Sequence, residues 1–274
     1  MFTFPLRLPS GKSIRVPELT NGDILNLVKY CAFEDYEGFE TFVNEKLFTG
    51  YEDISIIDKF YVLLFLRTIY IGEDINIGVN SDITNEVSVS LNDVLSKFES
   101  ITLPDDELVV VDNVTIGVGL PTKLFFSTVD ELYFDLIQTI KVDGETTNVR
   151  KMSKEHRDEI YGMLPARFMS GVVKFYTKLS TALGDITMLA SNERVSFDGV
   201  NISLLSNQPI AFLKQLYAQD VTSFIEFMYH FVNKVGGTFD DFLKLNINDS
   251  KLIFNLYVNE IKKQNDELKS NKSM

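Results

Sequence analysis

The side chains best suited to catalysis or metal binding are few in this chain and far apart in its sequence. His156 and His230 are its two histidines, and Cys31 is its single cysteine. These separations match no metal-ligand spacing. The charged neighbours of His156 predict a solvated helix face, and the aromatic neighbours of His230 predict a packed or interface position. We expect Cys31 to be a small buried apolar residue.

Fragments of nucleotide-binding motifs occur without their remaining parts. Gly11-Lys12-Ser13 has no upstream glycine in the required frame, and Gly117-Val-Gly119 lacks a third glycine and a following helix start. The adjacent acids Asp130-Glu131 and Asp240-Asp241 are typical of helix first turns. The chain has no tryptophan with which to stack a sugar, so these acids do not favour a glycosidase. The sequence therefore predicts no catalytic residues, no cofactor, no metal and no small-molecule substrate.

Composition and sequence pattern argue against nucleic-acid binding, a membrane span and a disulfide. The 274 residues carry a net charge of -13, and no local basic face is evident, so nucleic-acid binding is disfavoured. The apolar run Phe60–Leu66 is shorter than the roughly 20 residues that a membrane span needs. The N-terminus has no signal-peptide pattern, and a single cysteine allows no intramolecular disulfide. We expect a protein without a membrane span that is made in a cytoplasm.

One segment, residues 56–79, carries the strongest structural signal. Its first part is apolar on almost every side, which is typical of a helix buried all round. Arg67 lies near the end of that helix and must find a carboxylate, a carbonyl or a partner surface, because a buried unpaired charge is costly. Gly72 permits a sharp turn into a following strand. Glu73 could pair with Arg67 only if the chain folds back there.

The remaining patterns predict a predominantly helical α+β fold. Alternation around Ser10-Gly11 predicts an N-terminal hairpin. Short alternating runs after the buried helix predict a small antiparallel β unit, interrupted by helical spacing over Leu91–Phe98 and Thr128–Ile140. The C-terminal half is predicted to be helical, with a hairpin at Asp198-Gly199. The predicted late helices cover 209–235 and 252–268. The predicted units, with soft boundaries, are 1–74, 75–149 and 150–274, and a single compact unit is the alternative.

Several of these features, in this order, resemble a known family. The hairpin reads Leu8-Pro-Ser-Gly-Lys12-x-Ile14, and the buried helix runs from Asp58 to a Leu66-Arg67-x-Ile-x-Ile71-Gly72-Glu73 exit. The β unit then closes on Leu120-Pro121. This arrangement, over roughly residues 4–125, is similar to the baseplate hub and hub-assembly proteins of T-even-type contractile-tailed bacteriophages. The Leu-Arg-x-x-x-x-Gly-Glu exit is its most specific part.

The resemblance implies a non-enzymatic role as a subunit or chaperone-like assembly factor of the baseplate hub. Its partners would be other phage baseplate or tail proteins, met in the host cytoplasm during assembly, and whether the protein stays in the virion tail is left open. Asp58, Arg67, Gly72, Glu73 and Pro121 would then be a structural signature.

Aromatic residues on more than one face of the late helices predict a partner-binding patch. The candidate interface residues are Phe224, Phe227, Tyr229, Phe231, Phe254 and Tyr257. Two alternatives remain: a soluble acidic adaptor or nucleic-acid mimic unrelated to phage tails, and an enzyme with an unfamiliar site.

Overall fold

A buried central helix organises the molecule. The computed structural model describes residues 3–78, 86–184, 187–188, 200–201, 204–205, 216–217 and 221–272. Helix α3 (Ile56–Tyr70) is buried without interruption from Ile56 to Leu64, as its nearly continuous apolar sequence predicts. Strand β3 (Asp74–Gly78) follows it and pairs in antiparallel register with β4 (Glu86–Ser90).

The N-terminal elements form from local signals. Strands β1 (Thr3–Arg7) and β2 (Ser13–Pro17) make the predicted hairpin, and the positive φ of Gly11 (+83°) falls in its turn. Helix α1 (Asn21–Phe33) begins with a capping box between Thr20 and Asp23. Helix α2 (Tyr36–Leu47) packs beside α1, and both contribute buried apolar residues to the core cluster that also contains α3.

The β unit is a four-stranded antiparallel sheet in chain order. Helix α4 (Leu91–Ser100) precedes it, and helix α5 (Val129–Asp135) interrupts it. The expected helix over Thr128–Ile140 is wrong beyond Asp135, because the β-branched residues that follow pair with the preceding strand. The strands are β5 (Glu107–Val111), β6 (Val114–Val118), β7 (Ile137–Val142) and β8 (Glu145–Asn148).

The chain beyond the sheet is helical where it is described. Helix α6 (Lys154–Met163) is capped by Ser153, and α7 (Ala166–Leu183) crosses the sheet so closely that Gly171 lies against Val109. A two-residue pairing joins β9 (Thr187–Met188) to β10 (Val200–Asn201), and β10 begins directly after the predicted Asp198-Gly199 turn. That turn lies outside the described residues, as do 209–215 and 218–220 of the predicted helix 209–235. The last helices are α8 (Val221–Val235), α9 (Phe239–Lys244) and α10 (Ile247–Lys272).

Helix α10 starts five residues earlier than its apolar pattern predicts. Ile247 is buried, and Ser250 Oγ donates to Asn21 Oδ1 at 3.3 Å. The buried Asn21 amide also donates to Phe242 O at 2.9 Å, and its backbone N–H donates to Leu245 O at 2.8 Å. These contacts join the last helices to the start of α1, and they give the buried side chains of Asn21 and Ser250 the partners that buried polar groups need. The helices and small antiparallel sheets described above confirm the predicted predominantly helical α+β fold.

Candidate functional site

Two of the five signature residues lie at the start of α3, namely Asp58 and Pro121. Ser55 Oγ caps the helix by accepting from the Asp58 N–H at 3.1 Å. Asp58 Oδ1 in turn accepts from the backbone N–H of Ser10 in the hairpin turn at 3.0 Å. Pro121 is buried, and its carbonyl accepts from the Ile56 N–H at 2.7 Å. The hairpin, the helix and the segment that follows β6 are thus joined at one point.

The other three signature residues lie at the opposite end of α3, where Arg67 is about 14 Å along the helix axis from Asp58. Arg67 is 4% exposed and donates from Nε to Leu216 O at 2.7 Å and from Nη1 to Gly72 O at 2.6 Å. The buried guanidinium therefore finds carbonyls, one of the three outcomes the sequence allowed. Glu73 is exposed, and its carboxylate accepts from Asn92 Nδ2 at 2.6 Å. The structure brings these residues together as a helix exit.

Gly72 is the position at this exit where only glycine fits the backbone easily, since its φ is +151°. We expect Gly72→Ala to lower the free energy of unfolding by about 1–3 kcal/mol, because an L side chain is strained there. The matched control is Gly162→Ala in α6, where an added Cβ meets open space. It should raise stability by about 0.5–1 kcal/mol. Urea unfolding of both variants measures this, and equal effects would contradict the strain argument.

Sequence reasoning missed a second buried cation, Lys59. Its Nζ donates to Thr122 O at 2.5 Å and lies 3.8 Å from a Glu40 carboxylate oxygen. Burial lowers the pKa of Lys59 and raises the pKa of Glu40, while the attraction between the two opposes both shifts. The only sequence signal was a lysine within an apolar helix. These contacts anchor α3 to α2 and to the segment after Pro121.

Most of the predicted interface rings pack against one another around α9. The ring centroid of Phe242 lies 6.0 Å from Phe224, 5.6 Å from Phe227 and 5.1 Å from Phe231. Phe254 extends the group, with its centroid 5.5 Å from Phe227. Phe224, Phe231 and Phe242 are buried, whereas Phe227 and Phe254 are partly buried. This aromatic cluster holds α8, α9 and α10 together.

An exposed apolar surface remains on the outside of the same helices. Tyr229 is 58% exposed, and Ile225 lies one turn before it on α8. Leu252 and Leu256 are exposed one turn apart on α10. We call these four residues the outer apolar set. Tyr257, the sixth predicted interface residue, is partly buried beside Phe254 at 6.4 Å between ring centroids.

The chemistry-bearing side chains do not converge. His156 is exposed and 3.9 Å from Glu159, as a solvated helix face predicts. His230 is exposed beside the Tyr229 ring, so of the two predicted positions the interface one stays a prediction. Cys31 is buried as expected, and burial raises the pKa of its thiol to about 12. Among the described residues, no group of three His, Cys, Asp or Glu side chains could hold a metal ion.

In the part of the chain that the structure describes, no helix combines the length and apolarity needed to cross a bilayer.

Comparison with known proteins identifies a family for this chain. Residues 1–189 match a family model described as T4 bacteriophage base plate protein. No curated protein and no solved structure matches the chain. The matched region includes both ends of α3 and all five signature residues, and it ends before α8, α9 and α10.

Proposed function

This chain belongs to the T4 bacteriophage base plate protein family, and from that premise we propose that it acts in building the central hub of the tail baseplate. The family match, which covers residues 1–189, is the observation that carries the proposal. The finer assignment to the hub is supported by the resemblance of the α3 exit, with Arg67, Gly72 and Glu73, to hub and hub-assembly proteins. The role is that of a structural subunit or a chaperone-like assembly factor.

The mechanism we propose is non-covalent recognition of other baseplate or tail proteins. Interfaces of this kind use exposed apolar and aromatic anchors within a polar rim. The outer apolar set supplies such anchors. We expect an acidic rim, because the chain carries a net charge of -13. These residues follow the family-matched region, so this surface would select the partner while the matched region provides the common fold. Assembly would take place in the host cytoplasm, and the tail baseplate of the virion would be the destination.

Co-expression with the phage's other tail proteins, followed by affinity capture of this chain, tests the proposal. We expect one or a few baseplate proteins to co-elute with the tagged chain in a fixed ratio. An eluate without any tail protein would remove the support for a hub role. Comparing purified virions with infected-cell lysate by mass spectrometry then separates the two forms of the proposal. A structural subunit is present in the particle, whereas an assembly factor is confined to the lysate.

Tyr229 is the ring most suited to anchor a partner, and its removal gives a specific prediction. We expect Tyr229→Ala to change the free energy of unfolding by less than about 0.5 kcal/mol, since the ring is largely exposed. The same change should weaken capture of the partner by about tenfold or more, as expected for an aromatic anchor that becomes buried in the complex. Phe33→Ala removes another exposed ring, on α1, and is the control. If both variants capture the partner like the natural chain, Tyr229 is not part of the interface.

A further inference from the structure

An apolar groove lies between the four-stranded sheet and the turn that joins α6 to α7. Its volume is about 560 Å³, which is within the range of ligand pockets in proteins. The sheet supplies the floor, with Val114, Ile140 and Val142. The end of α6 supplies part of the wall, with Ile160 and Met163.

The floor of the groove is an apolar part of the sheet that the chain leaves partly uncovered. Side chains two residues apart in a strand share one face, so Ile116 and Val114 of β6 lie on the same face as their partners in β7, Ile140 and Val142. Helix α7 packs on β5 and β6, and Ile116 is 0% exposed. Val142, at the far end of the same face, is 42% exposed. Apolar surface is therefore available at this end of the sheet.

The groove is open to an incoming side chain. Met163, on the helix wall, is 67% exposed, and Thr147 and Glu145 of β8 are exposed on the opposite side. Exposed apolar patches rimmed by polar residues mark interaction sites, and methionine side chains adapt to apolar partners of different shape. The lining therefore suits a large apolar side chain that arrives from solution.

The charged residues that line the groove are both acidic. Asp143 lies in the turn between β7 and β8, and Glu145 is the first residue of β8. The Asp143 carboxylate accepts from the neutral Asn113 amide at 3.1 Å, which leaves its negative charge without compensation. Arg167, close in sequence to the helix wall, forms an ion pair with Asp112 and does not line the groove. An apolar floor with an acidic rim is complementary to an apolar side chain beside a cation.

We propose that this groove receives a large apolar side chain of a partner protein, with a flanking lysine or arginine of that partner beside Asp143 and Glu145. A second copy of this chain is a poor occupant, because two chains that each carry a net charge of -13 repel one another. The inference rests on the proposed function, since the partner would be a neighbouring baseplate protein. The groove would give that partner a contact within the family-matched region, apart from the outer apolar set.

The test uses the full chain with ¹³C-labelled methionine methyl groups. Met152 and Met163 both line the groove, so their methyl resonances report binding there, and Met152→Leu and Met163→Leu assign them. We expect acetyl-Lys-Leu-Lys-amide to shift both resonances saturably. Acetyl-Gln-Leu-Gln-amide, which keeps the apolar side chain, should bind about threefold more weakly, as the loss of exposed ion pairs predicts. Acetyl-Lys-Gly-Lys-amide, which lacks the apolar side chain, should give no saturable shift.

Variants locate both parts of the effect at the groove. The double variant Asp143→Asn with Glu145→Gln removes the two charges, and asparagine tolerates the positive φ of position 143 (+50°). It should bind the lysine and glutamine peptides equally. Glu159→Gln removes an exposed charge of α6 that does not line the groove, and it should keep the threefold preference. Thr147→Trp places a large ring in the groove from an exposed position and should weaken the lysine peptide by about tenfold.

Four outcomes would overturn the inference. They are shifts that do not saturate with the lysine peptide, equal affinity of the natural chain for the lysine and glutamine peptides, and a lysine preference that survives in the double variant. The fourth is a shift of the methionine resonances with protein concentration alone, which would make a second copy the occupant.

The proposed function can fail separately from the groove. A lysine-selective groove together with a failed tail-protein capture would keep the binding chemistry and remove the baseplate partner. Successful capture together with an unresponsive groove would keep the proposed function and remove this inference.

Discussion

Replacing Arg67 by methionine is expected to lower the free energy of unfolding by about 3 kcal/mol or more. The guanidinium is buried and donates to the carbonyls of Leu216 and Gly72, so methionine leaves two carbonyl groups without their donor. A buried acceptor without a donor retains its full desolvation cost. Urea unfolding followed by far-ultraviolet circular dichroism measures the change.

The matched control for this prediction is Arg15→Met, which removes an exposed arginine of β2 and should cost less than about 0.5 kcal/mol. Arg67→Lys provides an intermediate, because a lysine keeps the charge but lacks the planar fork that reaches two carbonyls in different directions. Equal unfolding midpoints for Arg67→Met and Arg15→Met would show that the helix exit does not depend on the guanidinium.

Replacing Phe242 by alanine should destabilise the protein by about 3–5 kcal/mol, the usual cost of deleting a fully buried phenylalanine. Phe242 is 0% exposed, and its ring is surrounded by the rings of Phe224, Phe227 and Phe231. The change leaves a cavity in the aromatic cluster that holds the last helices against the rest of the molecule. Thermal unfolding measures the loss of stability, with the near-ultraviolet circular dichroism of the buried aromatic rings as a second probe.

The same short helix supplies the control for the aromatic cluster. Phe239 lies one turn before Phe242 and is 47% exposed, so Phe239→Ala should change stability by less than about 1 kcal/mol. If the two alanine variants unfold at the same temperature, Phe242 does not fill a rigid core position. Partner capture with both variants then separates two effects. Loss of capture with Phe242→Ala reports loss of folding, whereas loss with Phe239→Ala reports loss of a contact surface, since Phe239 is on the outside of the helix.

Local signals were sufficient for much of the fold. The hairpin at Gly11, the cap at Thr20 and the buried helix α3 were predictable because each depends on residues that are close to one another in the sequence. The baseplate family was also predicted from the sequence, through the resemblance of the hairpin and the α3 exit, and the family match confirms it. Prediction was wrong over 136–140, where pairing with β6 outweighed helical periodicity.

What the sequence by itself determined is which residues are apolar, which turns form and that Arg67 needs a partner. Only the tertiary structure decided that this partner includes a carbonyl at Leu216, 149 positions away, and that Phe224 and Phe231 face inward while Tyr229 faces solvent. The physical reason is that helical spacing fixes the angle between side chains on one helix. It does not fix which neighbouring element covers each face, because that depends on how distant segments pack.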